Sequence, residues 1–242
     1  MKVKAIIEYD GSKFNGFQIQ KHTSNTVVEH ISKALLSVGI NSKIVGSGRT
    51  DKNVHASFQV IDFNIPTFWQ QKNLIELKYQ INKKLKYIQF KYISITNTNF
   101  HSQYSAKTRV YRYIIKTVKP KVFEKDYVSY YKINNLELFK TAINSFEGVH
   151  NFKYFKKEGS FTSSDIREIY KTKVIKLKDY IIVYFFANGY LRSQIRLMIA
   201  GAIEVENKKL TISQLKEQID AKQRFISKPS CPSGLYLARV FY

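Results

Sequence analysis

One cysteine, Cys231, stands in the whole chain. A lone thiol excludes an internal disulfide framework and fits a reducing cytosol. Long apolar runs are also missing. No window approaches the roughly 20 consecutive apolar residues that cross a bilayer, and Glu8 and Asp10 interrupt the opening MKVKAIIEYD too early for a signal segment. The expected compartment is the cytoplasm, with no membrane partner. There is no low-complexity linker and no repeat at solenoid period. Acidic residues are scarce, 18 against 40 basic ones, which leaves a formal net charge of +22. Such a surplus points to a polyanionic partner, nucleic acid first. A lysine-rich coding bias produces the same surplus, and only eight of the basic residues are arginines, so the arginines are the more informative cations.

Several chemistries are excluded by absence as well. The five histidines, His22, His30, His55, His101 and His150, are scattered. None pairs with another histidine or with Cys231 at metal-ligand spacing, so no metal site is expected. Gly46-x-Gly48 resembles the start of a dinucleotide fingerprint, but Asp51 occupies the third glycine position and would repel a phosphate. No Lys-Ser or Lys-Thr pair follows as in a P-loop. No serine sits on a recognisable nucleophile elbow.

What is present is a globular composition, 44% hydrophobic and 14% aromatic over 242 residues, enough for one large domain or two smaller ones. Periodicity predicts a strand over Lys2–Glu8, a helix from about Thr26 to Val38 with Thr26 and Glu29 as a capping box, and a strand at Lys43–Val45. A strand over Phe58–Phe63, a helix around Lys72–Leu85 and a strand over Tyr87–Ile95 follow. The second half predicts strands at Arg109–Lys116, Arg167–Leu177 and Tyr180–Ala187. Helices are expected through Leu136–Phe146, with Gly148 as the stop, through Leu191–Ala202, and after a Thr211–Gln214 cap. This is an α+β chain with antiparallel sheets flanked by helices. It divides into an N-terminal half, 1–105, and a C-terminal half, 106–242, with the least regular joint near Thr96–Lys107.

Three stretches carry candidate chemistry. Residues 46–60 read GSGRTDKNVHASFQV. Asp51 follows a glycine-rich turn and precedes a strand, a common setting for an exposed site residue. It serves either as a catalytic carboxylate or as an Asx-turn acceptor for its own backbone. On a strand, Arg109, Tyr111 and Tyr113 share one face. Such a face either stacks a base and holds a phosphate or packs its tyrosines into a core. On a helix, Arg192 and Arg196 lie one turn apart on the same side. The residues alone leave these alternatives open.

Their order along the chain is informative. Tyr9-Asp10-Gly11 with Gly16-Phe17-Gln18-Ile19-Gln20, Gly48-Arg49-Thr50-Asp51-Lys52-Asn53-Val54-His55-Ala56, and Phe100-His101 with Ser105-Ala106 come first. Arg109-Val110-Tyr111-Arg112-Tyr113, Gly148-Val149-His150-Asn151-Phe152, Ala187 through Arg196, and Gly234-Leu235-Tyr236-Leu237 with Val240 and Tyr242 follow. The whole resembles the tRNA pseudouridine synthase A family, bacterial enzymes that isomerise uridines in the anticodon stem-loop. Departures fall at Phe17 for Trp, Asn53 for Gly, Asn151 for Asp, and at Arg192 and Ser193.

The resemblance implies a pseudouridine synthase fold, two antiparallel-sheet α/β subdomains with a central active-site cleft. It implies tRNA as substrate, modified at positions 38, 39 and 40, no cofactor, and a homodimer. It makes Asp51 the essential carboxylate, Arg196 its charge partner and Tyr111 the ring that stacks on the uracil. Arg49 is implied to brace the flipped nucleotide, and Arg109 becomes a candidate for binding substrate.

Overall fold

A computed structural model of the chain describes residues 1–70 and 73–242. Its elements in order are β1 (Lys2–Tyr9), α1 (Val27–Leu36), β2 (Val45–Gly46), β3 (His55–Asn64), α2 (Thr67–Gln70), α3 (Leu74–Asn82) and β4 (Ile88–Ile95). They continue with β5 (Thr108–Lys116), β6 (Ser129–Tyr130), α4 (Leu136–Asn144), β7 (Gly148–Asn151), β8 (Ile166–Leu177), β9 (Tyr180–Ala187), α5 (Gln194–Glu206), α6 (Ile212–Ile219) and β10 (Leu235–Phe241). The chain is α+β, with mostly antiparallel strands. The expected helix from Lys72 begins in a part outside the described residues. Its described portion is α3, capped by Asn73, whose Oδ1 accepts the Ile75 N–H at 2.9 Å.

Two compact units form, Met1–Lys107 with Tyr236–Tyr242, and Thr108–Leu235. The main run of the first unit ends at Lys107. The last seven residues, however, return to the first unit, whereas the expected halves assign them to the second. The cause is strand pairing: β10 runs parallel to β3, with Tyr236 opposite His55 and Leu237 opposite Ala56.

In the first unit β1 alternates cleanly. Val3, Ala5, Ile7 and Tyr9 are buried while the intervening residues are half-exposed. β3 is different. It has β1 on one side and both β2 and β10 among its other partners, and seven of its ten residues, His55, Ala56 and Gln59 to Phe63, are buried. Its apolar–polar alternation therefore does not mark a solvent face. Gln59 and Asp62 are buried polar residues that need partners. Asp62 finds them in Lys2 Nζ at 3.2 Å and in the Ser102 N–H at 2.7 Å. The helix α1 buries Val27, Val28, Ile31, Ala34 and Leu35 on one face, as the spacing predicts. Thr26 caps it by accepting the Glu29 N–H at 3.3 Å, while the Glu29 carboxylate turns to Lys33 at 3.7 Å.

In the second unit β5, β9, β8 and β7 lie side by side as an antiparallel sheet. Phe139, Phe146, Phe152, Phe155 and Phe185 fill the core with α5, whose Met198 and Ile199 are fully buried. Gly148 does not stop α4. That helix ends at Asn144, and Gly148, at φ +109°, opens β7 instead. The Thr211–Gln214 capping box forms as expected, with Gln214 N–H donating to Thr211 Oγ1 at 3.1 Å and Thr211 N–H to Gln214 Oε1 at 2.9 Å.

Candidate active site

The Asp51 loop is built entirely from the first unit. It leaves β2 at Gly46 and enters β3 at His55. Gly46 is required by close packing, since a Cβ there would lie 2.4 Å from the Phe17 ring. Phe17 in turn stacks on Tyr9, 6.2 Å between ring centroids. Phe17, a departure from the tryptophan that the resemblance leads one to expect, thus packs between Tyr9 and Gly46. The loop is then bonded at almost every step. Ser47 N–H donates to Val60 O at 2.8 Å, and Ser47 Oγ donates to Gln59 Oε1 at 2.6 Å. Gln59 Nε2 donates to Gly48 O at 2.7 Å. Phe17 N–H donates to Thr50 O at 3.1 Å, and the Tyr9 hydroxyl meets Thr50 Oγ1 at 2.8 Å.

Asp51 itself is half-buried, and its carbonyl accepts the Val54 N–H at 3.2 Å to close a turn. Asn53, within that turn, sits at φ +62°. The departure from glycine is therefore accommodated, since asparagine tolerates the left-handed region better than other side chains. Arg49 is exposed. Below the loop, Gly11 N–H donates to His55 Nδ1 at 3.1 Å, which makes Nδ1 an acceptor and places the ring proton on Nε2. A Cβ on Gly11 would come within 2.0 Å of Val54 O. The His55 ring also stacks on Tyr236, 4.6 Å away, so the closing motif of the sequence supports the loop that holds Asp51.

The remaining candidates lie in the second unit. The strand β5 buries both of its tyrosines. Tyr113 is a core residue, fully buried, with its hydroxyl donating to Cys231 O at 2.6 Å and to Ser129 Oγ at 2.9 Å. Burial raises its pKa well above the usual tyrosine range. Tyr111 is 6% exposed and meets Tyr190 edge to face at 5.1 Å. Arg109 is joined to them. Its Nη1 donates to Asn188 O at 2.7 Å, and the Tyr190 hydroxyl donates to Arg109 O at 3.3 Å. Burial also holds the Tyr190 phenol protonated.

Arg167 joins this group, a residue the sequence reading passed over. Its pKa is lowered chiefly by burial, with a further contribution from the Arg109 charge. Its Nη1 donates to Ser164 O at 2.9 Å and to Ile166 O at 2.6 Å. The sequence held one signal for it, an arginine among only eight in the chain.

The expected helical pairing of Arg192 with Arg196 does not form. α5 begins at Gln194, and Arg192 lies in the preceding turn, where its carbonyl accepts the Lys157 N–H at 3.0 Å. Ser193, at φ +61°, breaks the helical path. The turn is closed by Gln194, whose Oε1 accepts the Leu191 N–H at 2.7 Å. Arg196 is on the helix, and its Nε donates to Ser230 O at 2.7 Å while the Ser230 N–H donates to Arg196 O at 3.0 Å. Asn151, the other departure, caps its own turn by accepting the Lys153 N–H at 3.2 Å, a task aspartate performs equally well. Among the described residues, no group of three or more His, Cys, Asp or Glu is placed to hold a metal ion, and no helix is long and apolar enough to cross a membrane.

A carboxylate on a stiff, many-bonded loop, in a chain with a large cationic surplus, fits enzymes that do chemistry on RNA. Comparison with known proteins specifies the class. Residues 5–105 and 142–242 match the family described as tRNA pseudouridine synthase. The tRNA pseudouridine synthase A of Helicobacter hepaticus is 40% identical over 99% of this chain and 98% of its own length. That of Wolinella succinogenes is 34% identical over 98% of this chain and 93% of its own. That of Campylobacter jejuni is 36% identical over the full length of both. The chain belongs to the tRNA pseudouridine synthase family, and is an isomerase that converts uridine to pseudouridine in tRNA. Asp51 and Arg196 lie inside the matched segments, whereas Arg109 and Tyr111 lie outside both.

Proposed function

We propose that this enzyme modifies uridines at positions 38, 39 and 40 in the anticodon stem-loop, with Asp51 as the essential carboxylate. The observation that carries the reading is the Asp51 loop, set within the motif that the chain shares with its family and held by bonds from Tyr9, Phe17, Gln59 and Val60. The reaction breaks the bond from uracil N1 to ribose C1′, turns the base and joins C1′ to C5. C5 loses a proton and N1 gains one, so no net oxidation occurs and no group leaves. Attack on the ribose, addition to the base and removal of a ribose proton all use the Asp51 carboxylate in its anionic form, and Arg196 serves the reaction as a cation. Tyr111 takes the uracil and Arg49 braces the extruded nucleotide. Arg109 binds a phosphate, and the remaining basic surface grips the tRNA backbone in a salt-dependent way. The working state is a homodimer in the cytoplasm.

Tritium release from tRNA labelled at uridine C5 tests the assignment. Wild type should release tritium, and a folded, tRNA-binding Asp51→Asn variant should release at least about 1,000-fold less. Stem-loops carrying uridine at only one of the three positions test the specificity. Release from uridines elsewhere in the tRNA, with none from these, would overturn the anticodon assignment while leaving the isomerase intact.

A further inference from the structure

We infer that Gln59 is a positioning residue for catalysis, an amide bracket that sets where Asp51 stands; this rests on the assignment of Asp51 as the essential carboxylate. Gln59 is fully buried on β3, beside the buried apolar residues Val60, Ile61 and Phe63. Both ends of its amide are used. Oε1 accepts from Ser47 Oγ at 2.6 Å and from the Val60 N–H at 3.2 Å, while Nε2 donates to Gly48 O at 2.7 Å. The bracket thus ties the two residues that precede Arg49, Thr50 and Asp51 to the centre of the first unit's sheet. On the far side of the same short stretch, Thr50 is held by Tyr9 and by the Phe17 N–H. Asp51 follows directly, so its backbone leaves a segment fixed from both sides.

The chemistry of the bracket demands an amide. A carboxylate at this position has the same shape but cannot donate to Gly48 O as an anion. A thioether of similar length fills the space but neither accepts from Ser47 Oγ as the amide oxygen does nor donates to Gly48 O. In both cases the loop keeps its covalent path and its Thr50 anchors but loses the contact that sets the approach to Asp51. Misplacing a reacting group by about 1 Å costs on the order of 100-fold in rate. The effect belongs to the chemical step, because Gln59 is buried and its bonds end on the loop backbone and on Ser47.

The test is steady-state tritium release by wild type, Gln59→Met, Gln59→Glu and Ser47→Ala, with thermal melts alongside. The expected result is a kcat lower by about 10- to 100-fold for the two Gln59 variants, with KM within about 2-fold of wild type. Ser47→Ala removes one hydroxyl and keeps the Gly48 bond, so it should lose less, roughly 3-fold in kcat. It also carries the test alone should the Gln59 variants not fold. A wild-type kcat in folded Gln59→Met, or a loss appearing only in KM, would overturn the bracket; so would an undiminished kcat in Ser47→Ala if that variant has to stand alone. A wild type that releases no tritium would instead sink the synthase reading on which the bracket rests.

Discussion

Two buried glutamines, one in each unit, hold the segments that carry Asp51 and Arg196, and they do so over very different distances along the chain. Gln194 closes its own turn, reaching back three residues to the Leu191 N–H at 2.7 Å. Gln59 reaches eleven and twelve residues upstream, to Gly48 and Ser47. Arg196 then inherits its position from a regular helix. Asp51 sits on a loop held by the Tyr9 and Gln59 side chains, from β1 and β3, and by the backbone N–H of Phe17. A helix supplies its own geometry through local hydrogen bonds. A loop must borrow it, and a borrowed geometry is open to damage from residues distant in sequence.

The comparison can be broken most forcefully at Gly11. An added Cβ would meet Val54 O at 2.0 Å, backbone against backbone with no flexible side chain to yield. Gly11→Ala should cost about 3 kcal/mol or more and lower the melting temperature by roughly 6–12 °C. A melt within a degree of wild type would show that the loop's support tolerates displacement.

Gln194→Leu probes the local counterpart. It leaves the Leu191 N–H buried without its acceptor, for about 1–3 kcal/mol. Since the helix beyond persists, the loss should be read in the melt and not exceed that of Gly11→Ala. A reversed ranking would mean that the second unit depends on its turn more than the first on its loop.

Smaller effects sharpen the picture at the surface. If Arg109 holds a phosphate, Arg109→Ala should weaken tRNA binding a few-fold and reduce the slope of log K against log salt by about one. An unchanged slope would make Arg109 a structural residue and not a phosphate contact.

The last difference is confined to acid. Glu124 accepts from Lys116 Nζ at 2.6 Å and from the Tyr180 hydroxyl at 2.5 Å, and these bonds bring its pKa from 4.5 down to about 2. A carboxyl whose pKa is lower in the folded state contributes fully above its unfolded value. That contribution is lost as pH falls from about 4.5 towards about 2. Melts across this window should show Glu124→Gln with a shallower acid loss than wild type, and parallel curves would remove the ion pair from the account.

Much of this was legible in the residues themselves. The strands at Tyr180–Ala187 and Ile166–Leu177 and the apolar face of α1 follow directly from spacing, because period 2 and period 3.6 are local properties of the backbone. So does the Thr211 cap. Asn53 at positive φ and Asn151 as a cap were departures from the family pattern that the side-chain chemistry already explains. Arg192 falls outside the helix that carries Arg196 because a single left-handed residue, Ser193, is invisible to helical periodicity. Tyr111 and Tyr113 read alike on one face of β5 and both are buried, and only the packing sets their partners, Tyr190 for the first and Ser129 and Cys231 for the second.

By itself the sequence determined most element types, the basic character and, through ordered motifs, the family. Tertiary structure alone decided that the chain's last strand returns to the first unit, that β3 is buried on both faces, and that Gln59 and Tyr9 hold the loop. The division has one physical cause. Periodicity and capping act between residues a turn apart, whereas strand order and the partners of buried polar groups depend on residues that meet only once the chain has folded.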